Sequence, residues 1–392
     1  MSRRLRVCYL GAYDREHVRN RVIIRGLQRA GVEVIEIHEP VFCDTDERVA
    51  SARRGLLQPR LWCRLARAHA FLAWRYLKSP PHDLVIVGHP GHPELLLARL
   101  LTWLRRTPLL WDALTSLYET IVEDRDLLSA TSASARWLLR AEKMLYRLPD
   151  RILVDTEAQG ALIQSRYRIG PGRLRRVWVG APDDLPSEPV PPSSGDGFRV
   201  VYFGKFIPLH GLELVLQAAH LLRHRPDIRF ELMGSGQTLT QMRQMARDLA
   251  LDNVRFMPEW LPLEALAQRV AGASVCLGVF GTATKTQRVI PIKAYLAWAL
   301  GLALVTNDSP GIRELVTPDV DALLCEPGDP QSLAAAILRL YDDPELADQL
   351  GRRGRALYEA HATPEAIAAD ILAIVAELVP DASAQRAPSA PD

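Results

Sequence analysis

The chain has 392 residues, of which 48% are hydrophobic and 24% charged, values typical of a soluble globular protein and long enough for two α/β domains. Its five cysteines lie far apart without a CxxC pair, which argues against a disulfide framework or a zinc site and suits a reducing cytosol. The net charge of +2 combines +11 over residues 1–180 with −9 over residues 181–392, so one half is expected to face something anionic.

The first half alternates apolar runs with helical stretches, which predicts a parallel sheet covered by helices. The N-terminus reads as a first strand and not as a signal peptide, and no run of 18 uncharged apolar residues predicts a membrane span. The predicted strands of this half are 6–12, 32–37, 83–89, 107–112 and 150–156. We therefore predict a Rossmann-like N-terminal domain over residues 1–180 of a cytoplasmic protein.

The second half repeats this architecture after a segment dense in Pro, Ser and Gly, residues 181–197, which predicts a linker. Its predicted strands are 198–204, 228–234, 253–258, 273–280, 302–307 and 322–327. The chain is thus expected to be an α/β protein of two doubly wound, Rossmann-like domains facing a cleft, the second over 198–358. We expect a helix within 359–380 to pack back on the first domain, and a disordered tail over 381–392.

A glycine turn follows the first strand of the second domain and precedes a helix. The strand ends at Gly204, a short loop carries Lys205 and His210, and Gly211 opens the helix. Free backbone N–H groups and the positive end of the helix dipole favour an anion at such a place. This predicts a phosphate-binding loop, the alternative being an ordinary βα loop whose glycines only serve the turn.

The same arrangement recurs at the end of the next strand, where Gly234 and Gly236 stand in the sequence LMGSGQ ahead of another helix. A single GxG motif is weak evidence for a ligand site, because glycine turns end the strands of many α/β units. Two of them in successive βα loops, at the carboxyl edge of one sheet, predict a shared ligand there.

A third segment, Gly278–Gly301, places two cations just before a helix. Lys285 and Arg288 stand three residues apart, Gly281 loosens the strand end, and Pro291 suits the first helical turn, where its missing N–H costs nothing. A Lys and an Arg at a helix start predict a diphosphate clamp. The alternative is a solvated basic loop.

The use of lysine favours the clamp. The chain has 43 Arg and only five Lys, yet Lys205, Lys285 and Lys293 all fall in these loop segments. A compact ammonium is expected where a guanidinium does not serve.

These segments together resemble the C-terminal domain of family-4 retaining glycosyltransferases, which have the GT-B fold. The resemblance rests on GKFIPLHG, the GSG turn, KTQRVIPIK, TNDSPGIREL and LLCEPGDPQSLAAAILRLYDDP, and is detailed from about Val200 to Leu357. It extends more loosely over HPGHPELLLA, DRILVDT and VGAPDD in the first half. Lys205 falls where the family usually has Arg, and His210 where it usually has Lys.

The resemblance implies a nucleotide-diphosphate sugar as donor and assigns residues to its site. Lys205, Lys285 and Arg288 are implied as catalytic cations, together with His89, which sits where members often place a histidine against the donor sugar. The implied donor-binding residues are Gly204, His210, Gly211, Gly234, Gly236, Phe280, Gly281, Val289, Ile290, Pro291 and Lys293. On the acceptor side we expect Gly11, His92, Asp112 and Asp124. His89 and His92 read equally well as strand-end residues of a Pro/Gly turn, and either aspartate as a helix cap.

One departure from the family is specific. Its common pair of glutamates, with seven residues between them, falls near Arg288 and Leu296, and neither is acidic. In the family the second glutamate usually holds the ribose and the first touches the sugar, so neither contact carries over to this chain. The KxxRVIPxK form itself resembles a known subgroup of these enzymes.

The resemblance also implies a mechanism. Family members need no metal or other cofactor, because helix dipoles and basic side chains stabilise the leaving diphosphate. Retention is attributed to front-side attack, in which the departing phosphate oxygen accepts the acceptor's proton. The acceptor is expected to be a glycan, a lipid-linked saccharide or a small molecule.

Residues 51–78 carry seven positive charges and no acidic residue. On a helical period Arg60, Arg64, Arg67 and Arg75 form one stripe, with Leu61, Trp62, Leu65, Leu72 and Tyr76 opposite. This favours contact with an anionic membrane, peripheral on its inner face, over a helix that only packs on the sheet. We expect no nucleic-acid partner, because no recognition motif accompanies the charge.

Three other functions remain open to different degrees. The missing acidic pair suits a catalytically silent glycosyltransferase-like scaffold or a nucleotide-sugar sensor. A nucleotide-sugar 2-epimerase of this architecture usually has paired carboxylates and histidines, which do not occur here at matching spacing. A nicotinamide enzyme is disfavoured, because YLGAYDREHV stands where GxGxxG belongs.

Overall fold

The structure is a computed structural model that describes residues 4–41, 59–125, 127–185, 197–258 and 261–380. The predicted tail 381–392, most of the predicted linker 181–197, and residues 51–58 of the basic segment lie outside the described residues. The chain forms two compact units. The residues up to Trp178, joined by those from Pro364 onward, make the N-terminal unit, and Val179–Thr363 make the C-terminal unit.

Strands and helices alternate along both units. The strands are β1 (Arg6–Gly11), β2 (Glu33–His38), β3 (Leu84–Val87), β4 (Leu109–Leu114), β5 (Arg151–Val154), β6 (Leu174–Arg176), β7 (Phe198–Phe203), β8 (Ile228–Met233), β9 (Val254–Met257), β10 (Val275–Leu277), β11 (Leu304–Asn307) and β12 (Leu323–Cys325). The α-helices are α1 (Val18–Arg29), α2 (Pro59–Lys78), α3 (Leu95–Arg105), α4 (Ala133–Leu145), α5 (Glu157–Tyr167), α6 (Leu212–Leu221), α7 (Leu239–Asp248), α8 (Leu263–Val270), α9 (Ile292–Ala299), α10 (Pro310–Arg313), α11 (Pro330–Asp342), α12 (Pro344–His361) and α13 (Pro364–Leu378).

Each unit holds one parallel sheet with the strand order of a doubly wound fold. The orders are β2-β1-β3-β4-β5-β6 in the N-terminal unit and β12-β11-β10-β7-β8-β9 in the C-terminal unit. The central strands β3 and β4 are buried at every residue, as expected where helices cover both faces. Both units are therefore Rossmann-like, and the predicted fold class is confirmed.

Side chains that alternate along β1 divide the helices of the N-terminal unit between the two faces of its sheet. Cys8 and Leu10 belong to a core that also contains residues of α2, α3 and α5. Tyr9 points the other way, and its hydroxyl donates to Asn20 Oδ1 of α1 (2.8 Å). Helices α2, α3 and α5 therefore share one face, and α1 lies on the other.

The apolar stripe of α2 differs from its prediction at one position. Leu72 and Tyr76 are buried in the core, but Trp62 has 54% of its surface exposed. Trp62 was predicted on the same side as these two residues, but the buried line of the helix runs through Ala68, Leu72 and Tyr76 and leaves it exposed. An exposed tryptophan on a basic helix is a feature for which the fold alone gives no reason.

Helix α13 packs on α1 within the N-terminal unit at a glycine. A Cβ added at Gly26 would lie 2.0 Å from the carbonyl oxygen of Pro364, so no larger residue fits without separating the helices. Arg29 and Glu365 form an ion pair at the same crossing (2.8 Å).

Candidate functional site

The first loop of the candidate site follows β7 in the C-terminal unit. Gly204 has φ 137°, a conformation that favours glycine, and its N–H donates to the carbonyl of Met233 (3.0 Å). The carbonyl of Lys205 accepts from the Tyr202 hydroxyl (2.9 Å) and from His210 Nδ1. His210 therefore holds the loop in shape through its own ring, and the half-buried Lys205 side chain is carried at the edge of the sheet.

The second glycine loop packs directly on the first. A Cβ added at Gly234 would lie 2.1 Å from the carbonyl oxygen of Gly204, and one at Gly236 would lie 2.5 Å from that of Phe206. The Phe206 N–H donates to the carbonyl of Ser235 (2.9 Å). The two GxG-type turns thus need glycine for close backbone approach, and the structure brings both to one place.

The third loop also joins this edge by backbone contact. Gly211 has φ 63°, and a Cβ there would lie 2.4 Å from the Gly281 nitrogen. The Phe280 N–H donates to the His210 carbonyl (3.1 Å), and the Thr286 hydroxyl donates to the Gly281 carbonyl (2.8 Å). Three loops that follow β7, β8 and β10 therefore meet at the carboxyl edge of one sheet.

The predicted clamp residues lie in the third loop, ahead of α9. Lys285 is buried to 9% exposure and Arg288 is half-buried, and the Arg288 N–H donates to the Lys285 carbonyl (3.0 Å). A Cβ added at Gly311, in α10, would lie 2.6 Å from the Arg288 carbonyl, which fixes the backbone of the clamp.

Three further donor-binding candidates, Val289, Ile290 and Pro291, lie between the clamp and α9, and Ile290 is buried. Pro291 is the residue before the helix, with φ −69° and ψ 144°, and not the first helical residue as predicted. Pro291 makes no side-chain hydrogen bond to the helix. The N-terminus of α9, where the first amide N–H groups lack a partner within the helix, closely follows the clamp residues in sequence.

Lys293, in the first turn of α9, is buried to 5% exposure. Its Nζ lies 3.6 Å from the ring centroid of Tyr202, and 3.2 Å from where a Cβ on Gly204 would stand. Among the described residues Nζ has no hydrogen-bond partner. Burial lowers the pKa of Lys293 well below its ordinary value, and the Cys276 thiol offsets this only in part.

Asn307 is a second buried donor at this edge, and sequence reasoning missed it. It ends β11, the neighbour of β10, and is 2% exposed. Its backbone N–H donates to the Val279 carbonyl (3.0 Å), but its side-chain Nδ2 has no partner in the described part of the chain. A strand-end Asn in the run LVTN was the available signal. Buried polar groups are normally hydrogen-bonded, so two unpaired donors at one sheet edge indicate a place built for a ligand.

His89 lies at the carboxyl edge of the sheet in the N-terminal unit. Asn20 of α1 clamps its backbone, accepting from the His89 N–H (3.1 Å) and donating to the His89 carbonyl (3.1 Å). The ring Nδ1 donates to the carbonyl of Ala113 (3.2 Å), which makes Nε2 the acceptor nitrogen of the neutral ring. The half-buried imidazole is thus fixed in orientation, as a catalytic or binding histidine requires. Gly11, predicted beside it, ends β1 with φ 143°.

His92 has a different role from the one predicted. It is 5% exposed, and its Nε2 pairs with the buried Glu142 carboxylate (3.2 Å). Burial alone would raise the pKa of Glu142, but the hydrogen bond and charge of His92, with hydrogen bonds from Tyr167 and Tyr118, hold that pKa below its ordinary value. The Ser116 hydroxyl also donates to this carboxylate (3.1 Å). His92 therefore stabilises a buried polar cluster and is withdrawn as an acceptor-side residue.

Asp112 is also withdrawn. Its carboxylate is fully buried and accepts from Arg19 Nη2 (2.8 Å) and Nε (3.0 Å). Arg19 Nη1 donates in turn to the Val177 carbonyl (2.8 Å) and to that of Trp178. The pair ties α1 to β4 and to Val177 and Trp178, which follow β6, so it is structural. Asp124 ends a π-helical turn, Glu119–Asp124, and is half-buried.

Comparison with known proteins places the C-terminal site in a recognised domain. Residues 197–343 match the family of glycosyl transferases group 1. The chain is 27% identical over 236 residues to an exopolysaccharide phosphotransferase of Streptomyces coelicolor, covering 59% of the chain and 23% of that protein. It is 27% identical over 176 residues to the lipopolysaccharide core biosynthesis glycosyltransferase LpsD of Rhizobium meliloti, covering 43% of the chain and 48% of that protein. The chain thus spans less than half the length of these curated relatives.

A solved structure extends the likeness to both units. HepE of Anabaena, crystallised in complex with UDP, matches with a TM-score of 0.66 at 16% identity, covering 96% of the chain and all of that protein. At this identity the likeness shows the fold alone, two Rossmann-like units. The residues that match the group 1 family, 197–343, include every C-terminal candidate from Gly204 to Asn307.

Proposed function

We propose that the chain is a glycosyltransferase whose C-terminal unit holds a nucleoside-diphosphate sugar at the carboxyl edge of its sheet. The observation that carries the proposal is the pair of buried, unpartnered donors at this edge, Lys293 Nζ and Asn307 Nδ2, in the described part of the chain. They lie beside three loops that bring Lys205, Lys285 and Arg288 to the same edge. Cations and amide donors together suit a diphosphate.

The proposed chemistry is the transfer of a glycosyl group with retention. The bond between the anomeric carbon and the diphosphate oxygen breaks, and the acceptor oxygen bonds to the same face of that carbon. The departing phosphate oxygen takes the acceptor's proton, so no side chain need act as a nucleophile. Lys205, Lys285, Arg288 and the N-terminus of α9 stabilise the charge on the leaving diphosphate without a metal ion.

The N-terminal unit supplies the acceptor side in this proposal. We assign His89 a direct contact with the substrates, because hydrogen bonds to Asn20 and Ala113 fix both its backbone and its ring Nδ1. Gly11 and Asp124 remain proposed acceptor-side positions. The acceptor class is a glycan, a lipid-linked saccharide or a small hydroxyl compound, and the relative named for lipopolysaccharide core biosynthesis favours a saccharide.

A second candidate function is that of a catalytically silent nucleotide-sugar sensor. The position where relatives of the resembled family carry the ribose-binding glutamate is Leu296, which is buried to 5% exposure within α9. A leucine there offers no hydrogen bond to a ribose. This candidate predicts donor binding without turnover.

Two measurements separate these functions. A thermal-shift screen of the full chain against UDP, GDP, dTDP and their sugars is expected to find one nucleotide that raises the melting temperature. The matching sugar nucleotide, incubated alone, is then expected to be hydrolysed slowly to free sugar and nucleoside diphosphate, with no loss of rate in EDTA. Binding without hydrolysis would favour the sensor, and the absence of any shift would contradict both.

A further inference from the structure

Large apolar side chains that are exposed to solvent concentrate on three helices of the N-terminal unit. In the described part of the chain these are Trp62, Trp74 and Leu77 on α2, Leu96, Leu100, Trp103 and Leu104 on α3, and Trp137 and Met144 on α4. The C-terminal unit contributes only Leu221 and Val320 among its described residues. Trp103, at 70%, has the largest exposed fraction of these side chains. Such clusters of exposed apolar surface mark interaction sites.

The three helices lie on the same side of the sheet, and α2 and α3 contact each other there. Leu72 of α2 and Leu101 of α3 are buried in the same core, and Leu139 of α4 packs against it. At the end of α3, Arg105 Nη2 donates to the Leu77 carbonyl at the end of α2 (2.8 Å). We call the outward side of α2, α3 and α4 the three-helix face.

The charge of the three-helix face is positive almost without exception. Its helices carry ten cations: Arg60, Arg64, Arg67, Arg75, Lys78, Arg99, Arg105, Arg136, Arg140 and Lys143. The same three helices contain one acidic residue, Glu142, which is buried and bound by His92. The outward surface therefore mixes tryptophan, leucine and cations, and of these cations Arg99 pairs with Asp150 just beyond the helices (3.3 Å).

A basic cavity of about 990 Å³ adjoins this face at the end of α3. Trp103 and Leu104 line it together with arginines and one aspartate, Asp150, and the arginines are Arg99, Arg106, Arg147, Arg151 and Arg173. Burial first, and then the positive charges of Arg99 and Arg151, lower the pKa of Arg173, although Asp150 opposes this. Asp150 pairs with Arg99 and Glu377 pairs with Arg151 (both 3.3 Å), so Arg106, Arg147 and Arg173 are the lining arginines without an ion pair in the described part of the chain.

We propose that the three-helix face binds the surface of an anionic phospholipid bilayer, with the basic cavity receiving the phosphate of a lipid headgroup. Tryptophan and leucine enter the interfacial layer while the arginines meet the headgroups, an arrangement typical of proteins that lie on a membrane. No helix in the described residues is long and apolar enough to cross a bilayer, so binding is to the surface. Anionic lipid suits this face because cations and exposed apolar side chains occur together on the same three helices.

The binding experiment uses the full chain and vesicles of phosphatidylcholine, with or without phosphatidylglycerol. Co-sedimentation is expected only with the anionic vesicles and is expected to weaken as salt is raised. Equal partitioning into neutral vesicles, or none into anionic ones, would overturn the proposal. The outcome does not depend on glycosyl transfer, so it can fail or succeed separately from the proposed function.

A matched pair of double variants tests whether the three-helix face is responsible. Trp103→Ser with Trp137→Ser removes two exposed tryptophans of the face, whereas Leu221→Ser with Val320→Ser removes two exposed apolar residues of the other unit. The first pair is expected to lower partitioning at least about tenfold. The second is expected to leave it unchanged, and an equal loss in both would contradict the assignment.

A second matched pair tests the cavity. Arg106→Glu with Arg147→Glu reverses two exposed cations beside it, and Arg352→Glu with Arg353→Glu makes the same charge change on α12. Since each cation near an anionic surface contributes roughly fivefold in partitioning, the cavity pair is expected to lose at least about tenfold. A similar loss in the α12 pair would show a net-charge effect only and would overturn the cavity's role.

Discussion

At the scale of single residues, the burial of Lys293 in the C-terminal unit is unfavourable for its charged form. Its ammonium is buried against the Tyr202 ring without a hydrogen-bond acceptor among the described residues. Such a group is unfavourable for the unliganded fold, because desolvation penalises the charged form. Residues that lower stability in this way are often kept for function, and an anionic ligand is the partner that this amine needs.

The variant Lys293→Met tests whether Lys293 lowers the stability of the free protein. We expect it to raise the melting temperature of the free protein by a few degrees, at about 2–4 °C per kcal/mol. Because the pKa is lowered on folding, the unfolded chain binds more protons, so the native protein gains stability as pH rises toward 10.5. The advantage of the variant should therefore shrink with rising pH, and a melting temperature below the wild type at neutral pH would contradict this account.

Because the pKa of Lys293 is lowered by burial, we also predict that the protein takes up a proton when it binds the donor. A diphosphate next to Nζ favours the charged form and raises its pKa, so affinity should fall as pH rises between the free and bound pKa values. Of the groups facing it, burial raises the pKa of Cys276 to about 12 and that of Tyr202 well above 10.0, so neither titrates between about pH 6 and pH 9. Calorimetry in buffers of different ionisation enthalpy measures the uptake, which Lys293→Met should abolish.

A buried ion pair gives a residue-scale prediction in the other unit. Removing one partner leaves a buried charge alone, so Arg19→Met should lower the free energy of unfolding by about 3–5 kcal/mol. The double variant Arg19→Met with Asp112→Leu should recover much of that loss, because both charges are gone. Denaturant melts measure both, and additive losses in the double variant would show that the two residues do not act as a pair.

Asp112 also shows where sequence reasoning fails at this scale. A strand-end aspartate in a predicted Rossmann-like domain is a reasonable ligand residue, and the run LLWD carries no sign of its partner. That partner is Arg19, 93 residues earlier, and only the folded chain brings the two together. His92 fails for the same reason, since Glu142 lies 50 residues away.

At the scale of elements, glycine decides how α13 meets α1. Gly26→Ala would set a methyl group 2.0 Å from the Pro364 carbonyl oxygen, and we expect a loss of about 1–3 kcal/mol in unfolding free energy as the helices separate. Gly160→Ala in α5 is the matched control, with its closest contact at 3.4 Å, and should be neutral or stabilising through helix propensity. Equal effects in the two variants would contradict close packing at Gly26.

Apolar runs predicted the interior strands well, although most strands are shorter than their runs and β4, Leu109–Leu114, is shifted by two residues from the predicted 107–112. β6 was not predicted, since Leu174–Arg176 is three residues long and has only one apolar side chain. The apolar stripe of α2 was predicted through Leu72 and Tyr76, which are buried, but the sequence did not show that Trp62 stays exposed.

At the scale of the whole molecule, the position of the candidate site in the C-terminal unit could be predicted from the sequence more easily than the packing of its side chains. The carboxyl ends of parallel strands meet at one edge, so glycine loops after β7, β8 and β10 had to converge if the sheet was parallel. Lys293 is buried, and the Asn307 amide lacks a partner among the described residues, because of how α9 and β11 pack. The local sequence pattern does not show this packing. The three-helix face likewise joins segments far apart in sequence, of which only α2 carried a visible signal.

The most direct test of the central claim is calorimetric titration of the full chain with the nucleoside diphosphate that gives the largest thermal shift. We expect saturable binding that Lys285→Ala and Arg288→Ala each weaken by about tenfold or more, through loss of a charge-assisted hydrogen bond, while circular dichroism stays unchanged. Arg247→Ala, an exposed change on α7, should bind like the wild type. Unaltered affinity in both clamp variants, or no binding of any nucleoside diphosphate, would contradict the account.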